Sequence, residues 1–317
     1  MTAVLITGGA GFLGTHVAAA LASRADVSTV VAADVRPPTH PVEGVAFERC
    51  DVTDPSALEP ILRRHSIDVV VHLAAIVNPG RDHDLEYRID VDGTRHVLAA
   101  CTAAGVRRIV VSSSGAAYGY HPDNPGWLRE DDPLRGNDAF PYARHKRLVE
   151  EMLAAHRVAH PELEQVVFRI GTILGPTVRN QITALWDGRR ILAIRGSDSP
   201  FVFVWVDDVA AAMARAATDG PPGIYNVAGD GRMTVREIAA RLGKPTLTVP
   251  AGLLASALRV GRALRLTDHG PEQVRFLRYR PVLAADALSA RFGFTPAKTT
   301  HEAFEAYLAT HPGVARR

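Results

Sequence analysis

The chain has 317 residues, 47% of them apolar, with 36 Lys and Arg against 34 Asp and Glu and a formal charge of +2. This length and apolar content can bury a full core and fit one α/β unit with a smaller one appended, while the balanced, scattered charges exclude nucleic acid and strongly acidic or basic partners. Two cysteines, Cys50 and Cys101, and thirteen histidines show neither a disulfide framework nor a metal-ligand spacing, so no metal site is expected.

Ala3-Val4-Leu5-Ile6-Thr7 predicts a buried parallel strand over 3–7. Starting so near Met1, it leaves no signal peptide, no later apolar run reaches the roughly 18 residues of a membrane span, and a cytoplasmic location is expected. Gly8-Gly9-Ala10-Gly11-Phe12-Leu13-Gly14 follows at once. Glycines at 8, 11 and 14 permit a tight turn, close approach of backbone to a pyrophosphate and close packing of the next helix, expected over 12–24. The phosphates would lie at that helix's amino terminus, where free N–H groups and the helix dipole favour anions. A second strand, 27–33, ends at Asp34, twenty residues past Gly14. A carboxylate there can accept from both ribose hydroxyls and repels a 2′-phosphate, which argues for NAD over NADP; Arg36, two residues on, could instead bind a phosphate.

Strands are expected next at 45–49, 68–73, 106–112 and 164–170, with helices near 55–65, 82–104 and 141–159, the two long ones on the same side of the sheet. Alternation of this kind predicts an α/β fold, a Rossmann-type doubly wound parallel sheet. Val110-Val111-Ser112-Ser113-Ser114-Gly115 runs from an apolar strand into a hydroxyl-rich turn, and ligands of open parallel sheets bind beyond such strand ends. In the last long helix, Tyr142 and Lys146 are one turn apart on one face. A free tyrosine keeps its proton to a pKa of about 10, and a neighbouring ammonium favours the phenolate. Alone, the spacing favours an exposed tyrosine above a solvated lysine; the other segments overturn that reading.

Together, Thr7 to Gly14, Asp34, Ser112 to Gly119 and Tyr142 to Lys146 resemble the extended short-chain dehydrogenase/reductases, the NAD-dependent epimerase/dehydratase family and its UDP-glucose 4-epimerase-like members. Cys50-Asp51-Val52-Thr53-Asp54, Val71 to Ala75, Arg169 to Pro176, Val206 to Ala210 and Tyr225 to Gly229 match further segments in order. The resemblance implies an NAD-dependent enzyme in which Tyr142 is the acid/base, Lys146 assists it and holds the nicotinamide ribose, and Ser114 holds the reacting oxygen. It implies cofactor contacts from Gly8, Gly11, Phe12, Leu13, Gly14, Asp34, Asp51, Val52, Leu73, Ala74, Ala75, Ser112, Tyr142, Lys146 and Ile170. Residues 1–171, with 201–220 returning to them, are expected to form the NAD-binding unit, and 172–200 with 221–317 the substrate-binding unit. A homodimer through the two long helices is the expected assembly.

Dehydratases of the family carry an acidic pair directly after the catalytic hydroxyl residue; Gly115 and Ala116 stand there instead, leaving epimerisation or simple oxidation and reduction. The substrate is a small molecule, for which Ser113, Ser114, Phe201, Arg278 and Arg280 are the candidate contacts. Phe201, in the run Phe201-Val202-Phe203-Val204-Trp205, occupies the place of an arginine that usually meets a substrate diphosphate, and Arg278 or Arg280 is the candidate for the second arginine of that pair. Trp205 replaces a frequent histidine, while Gly171-Thr172 and Asp90 stand where asparagines are common. The overall resemblance implies a sugar-nucleotide epimerase; the lost cation and added aromatics fit the alternative at least as well, an alcohol dehydrogenase or ketone reductase acting on a less charged substrate, with a non-catalytic NAD-binding scaffold or redox sensor as a third. Ala251 to Leu266, with Arg259, Arg262 and Arg265, is expected to be a helix of the smaller unit with a solvated arginine edge, rather than one lying on a membrane surface.

Overall fold

In the computed structural model, which describes residues 1–77, 82–267 and 270–315, β1 (Thr2–Thr7) runs through the interior of a seven-stranded sheet. Its last five residues are buried, as an uninterrupted apolar run requires of a strand covered on both faces. α1 (Phe12–Ala22), β2 (Val27–Asp34), β3 (Val45–Arg49), α2 (Leu58–Arg64) and β4 (Val69–His72) follow. α3 (His83–Tyr87) passes through one π turn, Arg88–Asp92, into α4 (Gly93–Ala104), and β5 (Arg108–Ser114), α5 (Pro141–Ala159) and β6 (Glu164–Ile170) come next. β5 reaches two residues further than expected: Ser112, Ser113 and Ser114 are not a turn but the strand's end, paired with Phe168, Arg169 and Ile170.

The chain continues as β7 (Thr172–Leu174), β8 (Ile191–Ile194), β9 (Phe203–Trp205), α6 (Val206–Thr218), β10 (Gly223–Val227), α7 (Val235–Arg241), β11 (Thr246–Val249), α8 (Ala251–Ala263), α9 (Gln273–Arg278), α10 (Asp286–Ala290) and α11 (Thr300–Thr310). The large sheet has the order β10-β6-β5-β4-β1-β2-β3 with every pair parallel. β10 corrects the expectation that everything past 221 belongs to the smaller unit. α6 carries the chain back across the sheet, and Gly223 to Val227 pair with Val166 to Ile170 as the edge strand. Tyr225 and Val227 thereby enter the core beside Phe168 and Phe292.

Two apolar layers cover the sheet. Val17, Leu21, Val209 and Met213 of α1 and α6 pack on one face; Leu58 and Leu62 of α2, Val97 and Leu98 of α4, and Val149 and Leu153 of α5 pack on the other. The two long helical stretches thus share a side. A third cluster explains the aromatic run at 201–205: Phe201, Phe203 and Trp205 are buried around Trp186 with Phe304 and Tyr307, four of these rings lying edge-on to Trp186 at 5.8–6.2 Å. Among the described residues, no helix is long and apolar enough to cross a membrane.

Candidate active site

Beyond the carboxyl ends of β1, β4, β5 and β6 lies a cavity of about 450 Å³. Its floor is the turn after β1. Gly8 has φ +69°, and a Cβ there would lie 2.8 Å from the Ala74 amide nitrogen; a Cβ on Gly14 would lie 2.2 Å from the Gly8 carbonyl oxygen. Only hydrogen fits at either place, so α1 starts directly against the turn. Gly11 is the N-cap and offers no side-chain acceptor, leaving the first amides of α1 open toward the cavity, a fit for a pyrophosphate. Asp34 ends β2 beside this turn and accepts from the Ala10 amide at 3.1 Å, where a dinucleotide's ribose would meet it. Gly8, Gly11, Phe12, Leu13, Gly14, Leu73, Ala75, Ser112 and Ile170 line the cavity. Ala74 packs behind Gly8. Asp51 is outside the cavity: its carboxylate accepts from the Thr53 amide and hydroxyl at 2.9 and 2.8 Å, and Val52 is buried against Gly93.

Ser114, Tyr142 and Lys146 come together on the opposite wall. Pro141 starts α5, so its first turn, which aims Tyr142, has a fixed backbone. Lys146, only 6% exposed, donates from Nζ to the Ser112 carbonyl at 2.8 Å and lies 5.7 Å from the Tyr142 ring centre. The Ser114 hydroxyl accepts from the Ala116 amide at 3.2 Å, which leaves its proton free to donate into the cavity. Nearby, the hydroxyl of Thr94 donates to the Asp90 carbonyl at 2.6 Å. His72 Nε2, 3.0 Å from that hydroxyl, is therefore its donor, and Nδ1 accepts from Thr7 at 2.7 Å. Burial, reinforced by Lys146, pulls His72 down to about 3, so this imidazole is neutral and leaves Lys146 the cation there.

Glu150 extends the Tyr142–Lys146 face by one more turn. It accepts from Arg169 Nε at 2.9 Å and Nη2 at 2.7 Å, and from the Ser113 hydroxyl. Arg169 Nη1 donates to Tyr118, whose hydroxyl lies 2.8 Å from Asn226 Oδ1. This buried network locks α5 to β5, β6 and β10. Ser113 lines the cavity, with its hydroxyl proton donated to Glu150. A second clasp comes from the π turn, where Asp90 accepts from the Ile76 amide at 2.8 Å and meets His145 Nδ1 at 2.9 Å. Glu150 was findable as the next i+4 position after Lys146; the Asp90–His145 contact depends on a π turn that no residue pattern announces.

On the substrate side the two candidate arginines part. Arg278 is absent from the cavity lining, its guanidinium lying 4.7 Å from the Tyr279 ring centre. Arg280 lines it. Its guanidinium stacks 3.9 Å from the centre of Phe201 and 5.1 Å from that of Phe276, and Nη1 donates to the carbonyl and hydroxyl of Ser199 at 2.8 and 2.9 Å. Ser199 adopts φ +29°, a strained backbone held at a side-chain clamp. Among the described residues no carboxylate pairs with Arg280, its Nε is buried without a partner, and burial lowers it to about 9. Phe201 is thus the platform for a cation rather than its replacement. Arg179, exposed at the rim, adds a second guanidinium, and Tyr120 and Phe276 add aromatic wall. None of these three was foreseen, because they come from loops and a short helix without a motif.

The pattern of the NAD dependent epimerase/dehydratase family matches residues 4–228. An uncharacterised protein of Mycobacterium tuberculosis is 27% identical over 311 residues, covering 96% of this chain and 82% of that protein. UDP-glucose 4-epimerase of Erwinia amylovora is 32% identical over 179 residues, 52% of each chain. Among solved structures, Thermus thermophilus UDP-glucose 4-epimerase in complex with NAD superposes with a TM-score of 0.73 at 25% identity, covering 96% of this chain and 99% of that one.

Proposed function

The chain belongs to the NAD-dependent epimerase/dehydratase family, and from that premise we propose that it is a sugar-nucleotide epimerase whose acid/base is Tyr142. The observation that carries this reading is the meeting of Ser114, Tyr142 and Lys146 in one cavity with the Gly8–Gly14 turn. NAD, when bound, accepts a hydride from a hydroxyl-bearing carbon and returns it. Gly8, Gly11 and Gly14 would hold its pyrophosphate and Asp34 a ribose. The Tyr142 phenolate would take the substrate's hydroxyl proton during the oxidation and return it once the oxidised sugar has turned its other face to the cofactor, which inverts the carbon. Lys146, fixed by the Ser112 carbonyl, stabilises the phenolate, and Ser114 donates a hydrogen bond to the reacting oxygen. Gly115 and Ala116, following Ser114, supply no acid or base for eliminating water, so dehydration is not part of this reading.

Arg280 selects the substrate class. A half-buried guanidinium that lines the cavity without a carboxylate partner is open to an anion, and with Arg179 at the rim it suits the diphosphate of a UDP-sugar. UDP-glucose 4-epimerases are among the proteins this chain resembles. The apolar wall of Ala116, Tyr120, Phe276 and Leu283 favours the second reading, an alcohol dehydrogenase or ketone reductase. The two are separated by supplying UDP-glucose or UDP-galactose without added NAD. An epimerase equilibrates the two sugars with no net change in reduced-nicotinamide absorbance, whereas a dehydrogenase leaves UDP-sugars untouched and reduces added NAD with a neutral alcohol.

The NAD-binding unit is read as 1–171, 201–220 and the edge strand β10, with the substrate held by 172–200 and the remainder of 221–317. A cytoplasmic homodimer through α4 and α5 accompanies this reading, and light scattering that gives a monomer mass would remove the dimer.

A further inference from the structure

α8 has no buried residue. Leu253, Val260 and Leu264 are 63%, 57% and 64% exposed, and Leu266, just beyond the helix, is 79% exposed. Positions 253, 257, 260 and 264 recur at helical spacing, so Leu253, Ala257, Val260 and Leu264 form one outward stripe, while Leu254 and Leu258 on another side are half-buried. The expected solvated arginine edge is present, with Arg259, Arg262 and Arg265 all exposed, but a further apolar stripe is left unburied. Its apolar stripe faces out, with Arg259 and Arg265 exposed beside it. The thirty residues 238–267 contain no Asp or Glu and five basic side chains, of which Arg241, Lys244 and Arg262 are held by Glu305, the Trp186 carbonyl and Glu272.

We propose that α8 is a peripheral membrane anchor, which lays its Leu253–Val260–Leu264 stripe on a bilayer surface of anionic lipid headgroups. Leucines enter the acyl boundary while the guanidiniums of Arg259 and Arg265 reach the lipid phosphates. A second copy of the chain fits this face poorly. A thirteen-residue helix is about 20 Å long and its stripe about 10 Å wide, or about 200 Å² per copy against about 800 Å² in a stable interface; a two-fold contact would also press arginines on arginines. A bilayer needs no shape match, and its charge is complementary. α8 packs on α9, whose Phe276 lines the catalytic cavity, so docking brings that wall of the cavity close to the bilayer.

The test is flotation of the full-length protein with vesicles of phosphatidylcholine alone or mixed with phosphatidylserine. Flotation is expected with the mixed vesicles, about tenfold weaker with the neutral ones, and falling as salt is raised. Leu253→Glu with Val260→Glu should abolish it, and Arg259→Gln with Arg265→Gln should weaken it about tenfold and flatten the salt dependence. All four side chains are exposed, so both variants should melt with the parent. Absence of flotation with either vesicle overturns the proposal, as does flotation indifferent to both variants. A self-association that Leu253→Glu with Val260→Glu dissolves, without vesicle binding, gives the face to a second copy and also overturns it.

Discussion

The two ends of the catalytic cavity are built by different means. At the cofactor end, backbone does the work: Gly8 and Gly14 leave room where any Cβ would strike another residue's main chain, and the acceptor for Lys146 is a carbonyl of β5. At the substrate end, side chains from separate loops do it: Arg280 is sandwiched by Phe201 and Phe276 and tied to Ser199. The first is set by a contiguous stretch of chain and tolerates no change. The second is assembled across eighty residues and can be retuned piece by piece, as a family that varies its substrate on a constant cofactor requires.

This contrast orders the expected effects of substitution. Gly14→Val drives a side chain into the Gly8 carbonyl and Gly9, both backbone, and should reduce the NAD recovered from the denatured protein more than about a hundredfold through loss of the pyrophosphate turn; recovery at the parent's level would break the cofactor half of the comparison. Glu150→Ala leaves the Arg169 guanidinium, 4% exposed, without its carboxylate and should cost about 3–5 kcal/mol in urea unfolding. A loss below about 1 kcal/mol would mean that the network does not hold α5 against the sheet. Arg280→Leu should raise KM for a UDP-sugar about ten- to a hundredfold, the worth of a charged hydrogen bond. An unchanged KM would take the substrate-binding role from Arg280.

The same division governs what could be read from residues alone. That the glycines after β1, the serines ending β5 and Tyr142 with Lys146 share a cavity was legible because each lies in a short run, and Asp34 ends β2 beside the glycine turn. Long apolar runs such as Ala3–Ile6 made the sheet legible too, although β10, a five-residue strand behind two prolines, joined it only through the path of α6. The opposite end was legible only in part: Phe201 and Arg280 were candidates and line the cavity, while Arg278 does not. Phe201 reads as a lost cation until Arg280, seventy-nine residues later, is seen stacked on it, and the bond that takes the Ser113 proton becomes visible only when α5 is laid on β5. Contacts between distant loops carry no periodicity, and a strand's two-residue alternation decides which of three adjacent serines faces the site.

Turnover by Tyr142→Phe tests the central claim most directly. The parent and the variant should release equal NAD on denaturation, because the glycine turn is untouched, while the variant's turnover of the UDP-sugar falls about a thousandfold for want of its proton acceptor. A variant that retains NAD and turns over at the parent's rate would contradict the assignment of Tyr142 as the acid/base.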